Sequence, residues 1–372
     1  MHPLIKRRIY QVIPYGVIWL FFSLLYVLIE RGLLGHSTVY PATGNPYSFR
    51  ESFTVSTSGS LITGMLMGVV EIFFLKSRFR RFGFLQKLIL KSLIFLSIII
   101  AFLLLLTIIA NGIQLQQSPF SAAVLHKVRL FVGNYAFWSI TMYISGIVVL
   151  CQLYTEVRDS AGDSMLSNFF TGKYHIPKEE ERVFMFLDMR GSTTWAESLG
   201  HNRYFEMLRA YYADLSAAII AQEGSVYQYA GDEVIITWTI KKVMRNLNCL
   251  RCFIAMKKAL QQNAGRYKQK YGSVPSFKAG LHCGTVTTGE IGVLKKEIVF
   301  TGDVLNTTAR IQALCNQYQT DILISAPLVK ALGAEIPFVL RPMGLTALRG
   351  KEEKIGLFTL DTAPDASASA QT

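Results

Sequence analysis

Apolar positions follow two different rhythms along the chain. Within the first 155 residues they gather into four stretches, near 12–29, 58–75, 88–110 and 130–153. Each is close to the length of about 20 residues that a helix needs to cross a bilayer. Beyond residue 180 the runs shorten and begin to alternate. Residues 183–187 are continuously apolar, as in a buried central strand. A long helical pattern follows over 195–222, then two short strands, 226–229 and 234–238, folded back around Ala230-Gly231. Helical spacing returns over 243–259 and again at Val304, Leu305, Ala309, Ile311 and Leu314.

Between the halves, Val157, Met165, Leu166, Phe169 and Phe170 give partial helical spacing, broken by Gly162 and ended by turn signals at Gly172 and Pro177. This segment reads either as a passive tether or as a dimerising transmission helix. The expected organisation is an all-α four-helix transmembrane domain (1–155), a linker or transducer helix (156–181), an α+β domain (182–361) and a disordered tail (362–372).

Composition sharpens the picture of the first half. Hydrophobic residues make up 51% of the chain and charged ones 17%, with a mean hydropathy of +0.31. The net charge of +13 could serve nucleic acid. Much of it, however, flanks the apolar stretches: Lys6, Arg7 and Arg8 before the first, and Lys76, Arg78, Arg80, Arg81 and Lys87 between the second and third. The other two connections carry only Arg31 with Arg50, and Lys127 with Arg129. That asymmetry predicts a multi-pass membrane protein, both termini cytoplasmic, with the lipid bilayer rather than nucleic acid as partner. The first stretch lacks a small-residue cleavage site and is followed by three more, so it is expected to be retained.

Glu71 falls inside the second stretch, where a carboxylate is a functional candidate or a partner for Lys76 or Arg78. His36 and His126 fall in outer connections, as solvated residues or as sensors of pH or a ligand. Cys249 and Cys252 have CxxC spacing but no second pair to complete a zinc site, and read as small apolar residues on a helix. Nothing in the five cysteines calls for a disulfide, in keeping with a reducing cytosol around the second half.

Chemistry concentrates in three places. The strand 183–187 ends in Asp188 and runs through Met189-Arg190-Gly191-Ser192-Thr193 into a helix. A strand, a glycine turn and a helix start present backbone N–H groups to a phosphate, although Ser192 or Thr193 could also be a plain N-cap. In "VYQYAGDEVIITW" the hairpin would bring Asp232 beside Asp188. Paired carboxylates repel unless a cation lies between them, which points to Mg²⁺ or Mn²⁺. Glu233, the next residue, is expected to face the other way. In "FTGDVLNTTARIQALCNQ" Asn306 and Arg310 are four apart and share a helix face, suited to a ribose and a phosphate.

Taken together, Asp188-Met-Arg-Gly-Ser-Thr, Tyr229-Ala-Gly-Asp-Glu and Gly302-Asp-Val-Leu-Asn-Thr-Thr-Ala-Arg, in that order, resemble the class III adenylate and guanylate cyclases over residues 182–361. The resemblance implies a ferredoxin-like core with added strands, acting as an antiparallel homodimer with active sites at the interface. It implies two divalent ions per site at Asp188, Asp232 and the Met189 position, which activate the ribose 3′-hydroxyl and hold the triphosphate. Backbone from Met189 through Arg190, Gly191 and Ser192 to Thr193 would meet the phosphates. Asn306 would orient the ribose, Arg310 would stabilise charge on the α-phosphate, and Lys351 in "LRGKEEKIGLF" matches a phosphate-binding lysine.

Two positions depart from the family pattern. The base-reading residues, often Lys with Asp or Thr in adenylate cyclases and Glu with Cys in guanylate cyclases, are here Gln228 and Val299. An amide can read either purine and valine offers no hydrogen bond, so ATP is the expected substrate with GTP as alternative. Two other readings stay open: a diguanylate cyclase, whose GGDEF signature "AGDEV" echoes, and a nucleotide-binding receptor without catalysis.

Overall fold

The computed structural model describes residues 3–41, 46–79, 81–162, 168, 171–333, 336–350 and 353–361. The chain divides into two compact units, Ile5–Leu166 and, for the rest, Ser167–Thr372 with the first four residues. The expected tail, 362–372, lies outside the described residues, as do 163–167, 169 and 170 of the linker.

The first unit is all helix: α1 (Pro3–Leu34), α2 (Phe49–Val70), α3 (Phe84–Leu115), α4 (Ala122–Val132) and α5 (Tyr135–Ala161). Among the described residues four helices, Arg7–Leu34, Phe49–Arg78, Phe84–Ile113 and Tyr135–Ser160, are long and apolar enough to cross a membrane. The fourth starts later than its apolar run. Residues 130–132 close α4, and Asn134 then caps α5 by accepting the Ala136 N–H at 2.9 Å. Many large apolar side chains, among them Phe21, Leu28, Leu93 and Met142, point away from the unit.

Small residues seat α1 against α2. A Cβ on Gly64 would lie 2.8 Å from the Tyr15 carbonyl oxygen, and one on Gly68 would lie 3.0 Å from Val12. Glycines four apart permit such backbone approach within a membrane. Beside this contact lies a buried charge cluster. A π-helical turn, Glu71–Leu75, extends α2, and Glu71 receives the Lys91 ammonium of α3 at 2.6 Å. Lys91 also donates to Glu156 of α5 at 2.9 Å, and Lys87 reaches the same carboxylate at 3.4 Å. The expected pairing of Glu71 with Lys76 or Arg78 is therefore corrected. A fully buried carboxylate needs a cation at its own depth. The Lys76 side chain, 37% exposed, instead pairs with Asp159 at 2.7 Å. His36 and His126 are both exposed, the latter on α4 rather than in a loop.

The second unit is an eight-stranded sheet with helices on both faces. It holds β1 (Lys178–Met189), α6 (Ser192–Ala221), β2 (Ser225–Ala230), β3 (Glu233–Thr239), α7 (Ile240–Asn246), α8 (Asn248–Gln262) and α9 (Ala264–Tyr271). Then come β4 (Phe277–Ile291), β5 (Glu297–Thr301), α10 (Asp303–Ala313), β6 (Ile322–Ser325), α11 (Ala326–Leu332), β7 (Leu340–Ala347) and β8 (Lys354–Leu360). The strand order is β2-β3-β1-β4-β6-β8-β7, with β5 paired to the far end of β4. The β2-β3-β1-β4 core, antiparallel at each step and with helices after β1 and β3, is the ferredoxin-like arrangement.

Alternation along β1 sorts the layers. Val183, Met185 and Leu187 pack with Met207, Tyr211 and Leu215 of α6 and Phe253 of α8. Phe184 and Phe186 turn to the other face, with Ile235, Val286 and Val304 under α10. Cys249 and Cys252 are fully buried in the α8 layer, and burial pushes the Cys249 thiol up to about 12, which suits the apolar role. The start of β1 is fastened to the β4–β5 hairpin. The Glu290 N–H donates to the Tyr174 carbonyl at 3.0 Å, and Arg182 bonds Glu180 at 2.7 Å while covering the Phe300 ring at 4.7 Å.

Lys91→Met strands two buried carboxylates and is expected to destabilise the helical unit by about 3 kcal/mol. Thermal unfolding of the full chain in detergent should show Lys91→Met less stable than Lys91→Met combined with Glu71→Gln.

Candidate active site

The last turn of β1 places Asp188 directly across from Glu233 on one side and Lys278 on the other. Residues paired in this way share a face, so all three side chains stand on the α10 side of the sheet. This corrects the expectation that Glu233 faces away from the site. Alternation from Asp232 does not apply, because Asp232 belongs to the turn and Glu233 takes its face from its register with Asp188.

The turn has two residues, Gly231-Asp232, between the paired Ala230 and Glu233. Gly231 has φ of +65°, and a left-handed first position in so short a loop is where glycine is strain-free. Tyr212 of α6 braces the turn, its hydroxyl 3.1 Å from the carbonyl oxygens of both Gly231 and Glu233. Its ring meets that of Tyr229 at 4.6 Å.

Asp188 and Asp232 come together as the sequence predicts. Burial, and then a hydrogen bond to the Asp232 carboxyl, hold the Asp188 carboxyl above the usual range, against the opposing pull of Lys278. Glu233 is raised as well, by burial and then by Asp188 and Asp232. Two donors meet one oxygen of Asp188: the Lys278 ammonium at 3.2 Å and the Gln312 amide at 3.2 Å. Neither donor belongs to the three motifs read from the sequence. Lys278 is the second residue of β4, and Gln312 is a polar residue beside Val304, Thr308 and Ile311 on the side that α10 buries. The break that Gln312 makes in the apolar side of its helix is visible in the sequence.

At the other end of the turn after β1, Gly191 is the N-cap of α6, with φ of +64°, and no side chain caps the helix. Ser192 is thus the first helical residue and not the cap, and Thr193 follows it, exposed. Arg190 is engaged elsewhere. Its N–H donates to Ser276 at 2.9 Å, and its guanidinium bonds the Thr320 carbonyl at 2.7 Å and Asp321 at 3.1 Å. Met189 is buried against α6 and α8, leaving only its backbone for the site.

The remaining candidates sit on β2, β5 and α10. Gln228 is exposed on the edge strand β2, where a bulge after Val226 sets it opposite Ile235. Val299 is half-buried on β5, opposite Gly289. Asn306 is exposed, and Arg310 lies beside Gly350, its guanidinium nitrogens 3.8 Å from where a Cβ would sit. Lys351 lies outside the described residues. Gln312 faces Asp188, and Arg310, two residues and about 200° earlier on the helix, points to another side.

The family described as adenylate and guanylate cyclase catalytic domain matches residues 175–361. Adenylate cyclase 2 of Rhizobium meliloti (strain 1021) is 35% identical over 217 residues, 58% of this chain and 60% of the relative. The adenylate cyclase of Anabaena cylindrica is 29% identical over 183 residues, 47% of this chain and 36% of the relative. The chain therefore spans less than two thirds of these relatives. A solved structure, the adenylyl cyclase CyaB from P. aeruginosa, is similar over 51% of this chain and 97% of its own, at 18% identity and a TM-score of 0.45.

Because the Asp188 carboxyl is raised, its ionised form is disfavoured in the fold, and stability is lost as pH rises through its folded pKa. Asp188→Asn is expected to raise the melting temperature of the metal-free protein by a few degrees at pH 8, measured in EDTA. The gain should vanish at acid pH, where the carboxyl is protonated. An equal or lower melting temperature at pH 8 contradicts this electrostatic picture.

Proposed function

Since the chain belongs to the adenylate and guanylate cyclase family, we propose that it is a membrane-anchored adenylate cyclase, converting ATP to 3′,5′-cyclic AMP and pyrophosphate. The observation that carries this reading is the close Asp188–Asp232 pair on the sheet that also bears the uncapped start of α6. The ribose 3′-oxygen would bond to the α-phosphorus, the bond from that phosphorus to the oxygen bridging to the β-phosphate would break to release pyrophosphate, and the 3′-hydroxyl proton would pass to water.

The carboxylate pair fits a divalent cation, because both groups are half-buried and Asp232 raises the cost of ionising Asp188. No group of three or more His, Cys, Asp or Glu side chains suited to a metal occurs among the described residues. Two carboxylates plus substrate phosphates and backbone oxygen are the usual set for Mg²⁺, so the donors are sufficient. Asp188, Asp232 and the Met189 backbone would hold Mg²⁺ or Mn²⁺, which neutralises phosphate charge and acidifies the 3′-hydroxyl when bound.

The chain's own groups supply the rest. With the Arg190 N–H and side chain already bonded, phosphate contacts at this turn fall to the backbone of Gly191, Ser192 and Thr193. Asn306 would orient the ribose and Arg310 would meet charge building on the α-phosphate, with Lys351 as its neighbour in sequence to Gly350. Arg310 and Gln312 point to different sides of α10, which supports a site completed by a second copy of the chain. In such a homodimer Asp188 and Asp232 come from one protomer, and Gln228, Val299, Asn306, Arg310 and Lys351 from the other.

Gln228 would read adenine by donating to N1 and accepting from the exocyclic amine. The same amide turned over would read guanine, and the relatives named as adenylate cyclases favour ATP. The four apolar helices, with apolar side chains facing outward and basic residues at one set of connections, support a multi-pass inner-membrane anchor with both termini cytoplasmic.

Purified full-length chain given Mn²⁺ with ATP or GTP separately should make cyclic AMP from ATP as its main product, and Asp232→Asn should lower kcat at least about a hundredfold. Cyclic GMP as main product would overturn the substrate assignment. Absence of any cyclic nucleotide would overturn the enzymatic reading.

A further inference from the structure

We propose that Gln312 is a positioning residue for the Asp188 carboxylate, a fixed neutral donor that holds this ligand in orientation for the divalent ion. The inference rests on the reading of Asp188 as a metal-binding residue. Its geometry is set by the close approach of α10 to the sheet. A Cβ on Gly280 would lie 2.4 Å from the Gln312 backbone nitrogen and 2.7 Å from its Cα, so the helix rests directly on β4 there. Gly280 is paired with Phe186, two residues before Asp188 on the neighbouring strand. From that seat the Gln312 amide reaches across to the Asp188 oxygen at 3.2 Å.

The two donors on that oxygen differ in kind. Lys278 carries a positive charge on a flexible stem, and a cation arriving at Asp188 competes with it for the same oxygen. Gln312 has no charge to oppose a metal, and it is only 6% exposed, with its backbone packed on Gly280. It can therefore keep its bond to Asp188 whether or not a cation is present. A hydrogen bond of this sort, from outside the ligand shell, fixes a carboxylate's orientation, and its loss typically costs 10–100-fold in metal affinity.

The deciding measurement is Mn²⁺ binding to the full chain in detergent, read by electron paramagnetic resonance without nucleotide, together with melting temperature. Gln312→Met keeps the volume and removes the donor, and Gln312→Asn keeps the amide but falls one methylene short. Both are expected to weaken Mn²⁺ at least about tenfold, with melting temperatures within a few degrees of the parent. Thr308→Val removes a buried hydroxyl from the same helix, one that donates to the Val304 carbonyl, and should leave the affinity unchanged. Parent-like Mn²⁺ affinity in Gln312→Met, or a loss as large in Thr308→Val, overturns the proposal. Parent-like affinity in Asp188→Asn overturns instead the metal role of Asp188 on which it rests.

Discussion

Two carboxylates held side by side in a half-buried place are the constraint around which the catalytic unit is organised. Burial and the neighbouring Asp232 disfavour the ionised form of Asp188, and the sheet has to hold the pair despite that. The ferredoxin-like order does so by slotting β3 beside β1, so that the turn before β3 arrives at the end of β1. Gly231 lets the turn close in two residues, and Tyr212 pins both of its flanking carbonyls from α6. On the opposite edge, the β1–β4 register delivers Lys278, and the bare backbone of Gly280 lets α10 settle close enough for Gln312 to reach the same carboxylate. An arrangement that places like charges together and then surrounds one of them with donors makes physical sense where a cation is to be held.

Much of this is written locally and can be read from the chain. The hairpin around Ala230-Gly231, the apolar run before Asp188, the helix bearing Asn306 and Arg310, and the four long apolar segments all follow from short-range spacing and turn chemistry. The features that escape such a reading depend on register between distant strands. Lys278 and Gln312 reach Asp188 across 90 and 124 residues of sequence, respectively, through strand pairing and helix packing that no local pattern encodes. Glu233 shows the same limit at short range. Counting alternation from its neighbour turns it away from Asp188, while the cross-strand pairing turns it toward Asp188.

The helical unit shows a related contrast. Its spans are evident from hydropathy, but the identity of Glu71's partner is not, because Lys91 lies 20 residues away on another helix. Three helices meet at the Glu71–Lys91–Glu156 cluster, and a π-helical turn begins at Glu71 itself. Charges at such depth are costly and specify which helices meet and at what height. Glu156 lies near the end of α5, the helix from which the chain leads on toward the catalytic unit.

In the proposed homodimer one complete site needs two copies of the chain, one giving Asp188 and Asp232, the other Asn306 and Arg310. The most direct test is to co-express two differently tagged, full-length variants, Asp188→Ala and Arg310→Ala, and to assay the purified heterodimer with ATP and Mn²⁺. Each variant alone should be nearly inactive, while the heterodimer should recover a substantial share of parental activity through its one intact site. A heterodimer as inactive as either parent variant, once shown to have formed, contradicts the shared site.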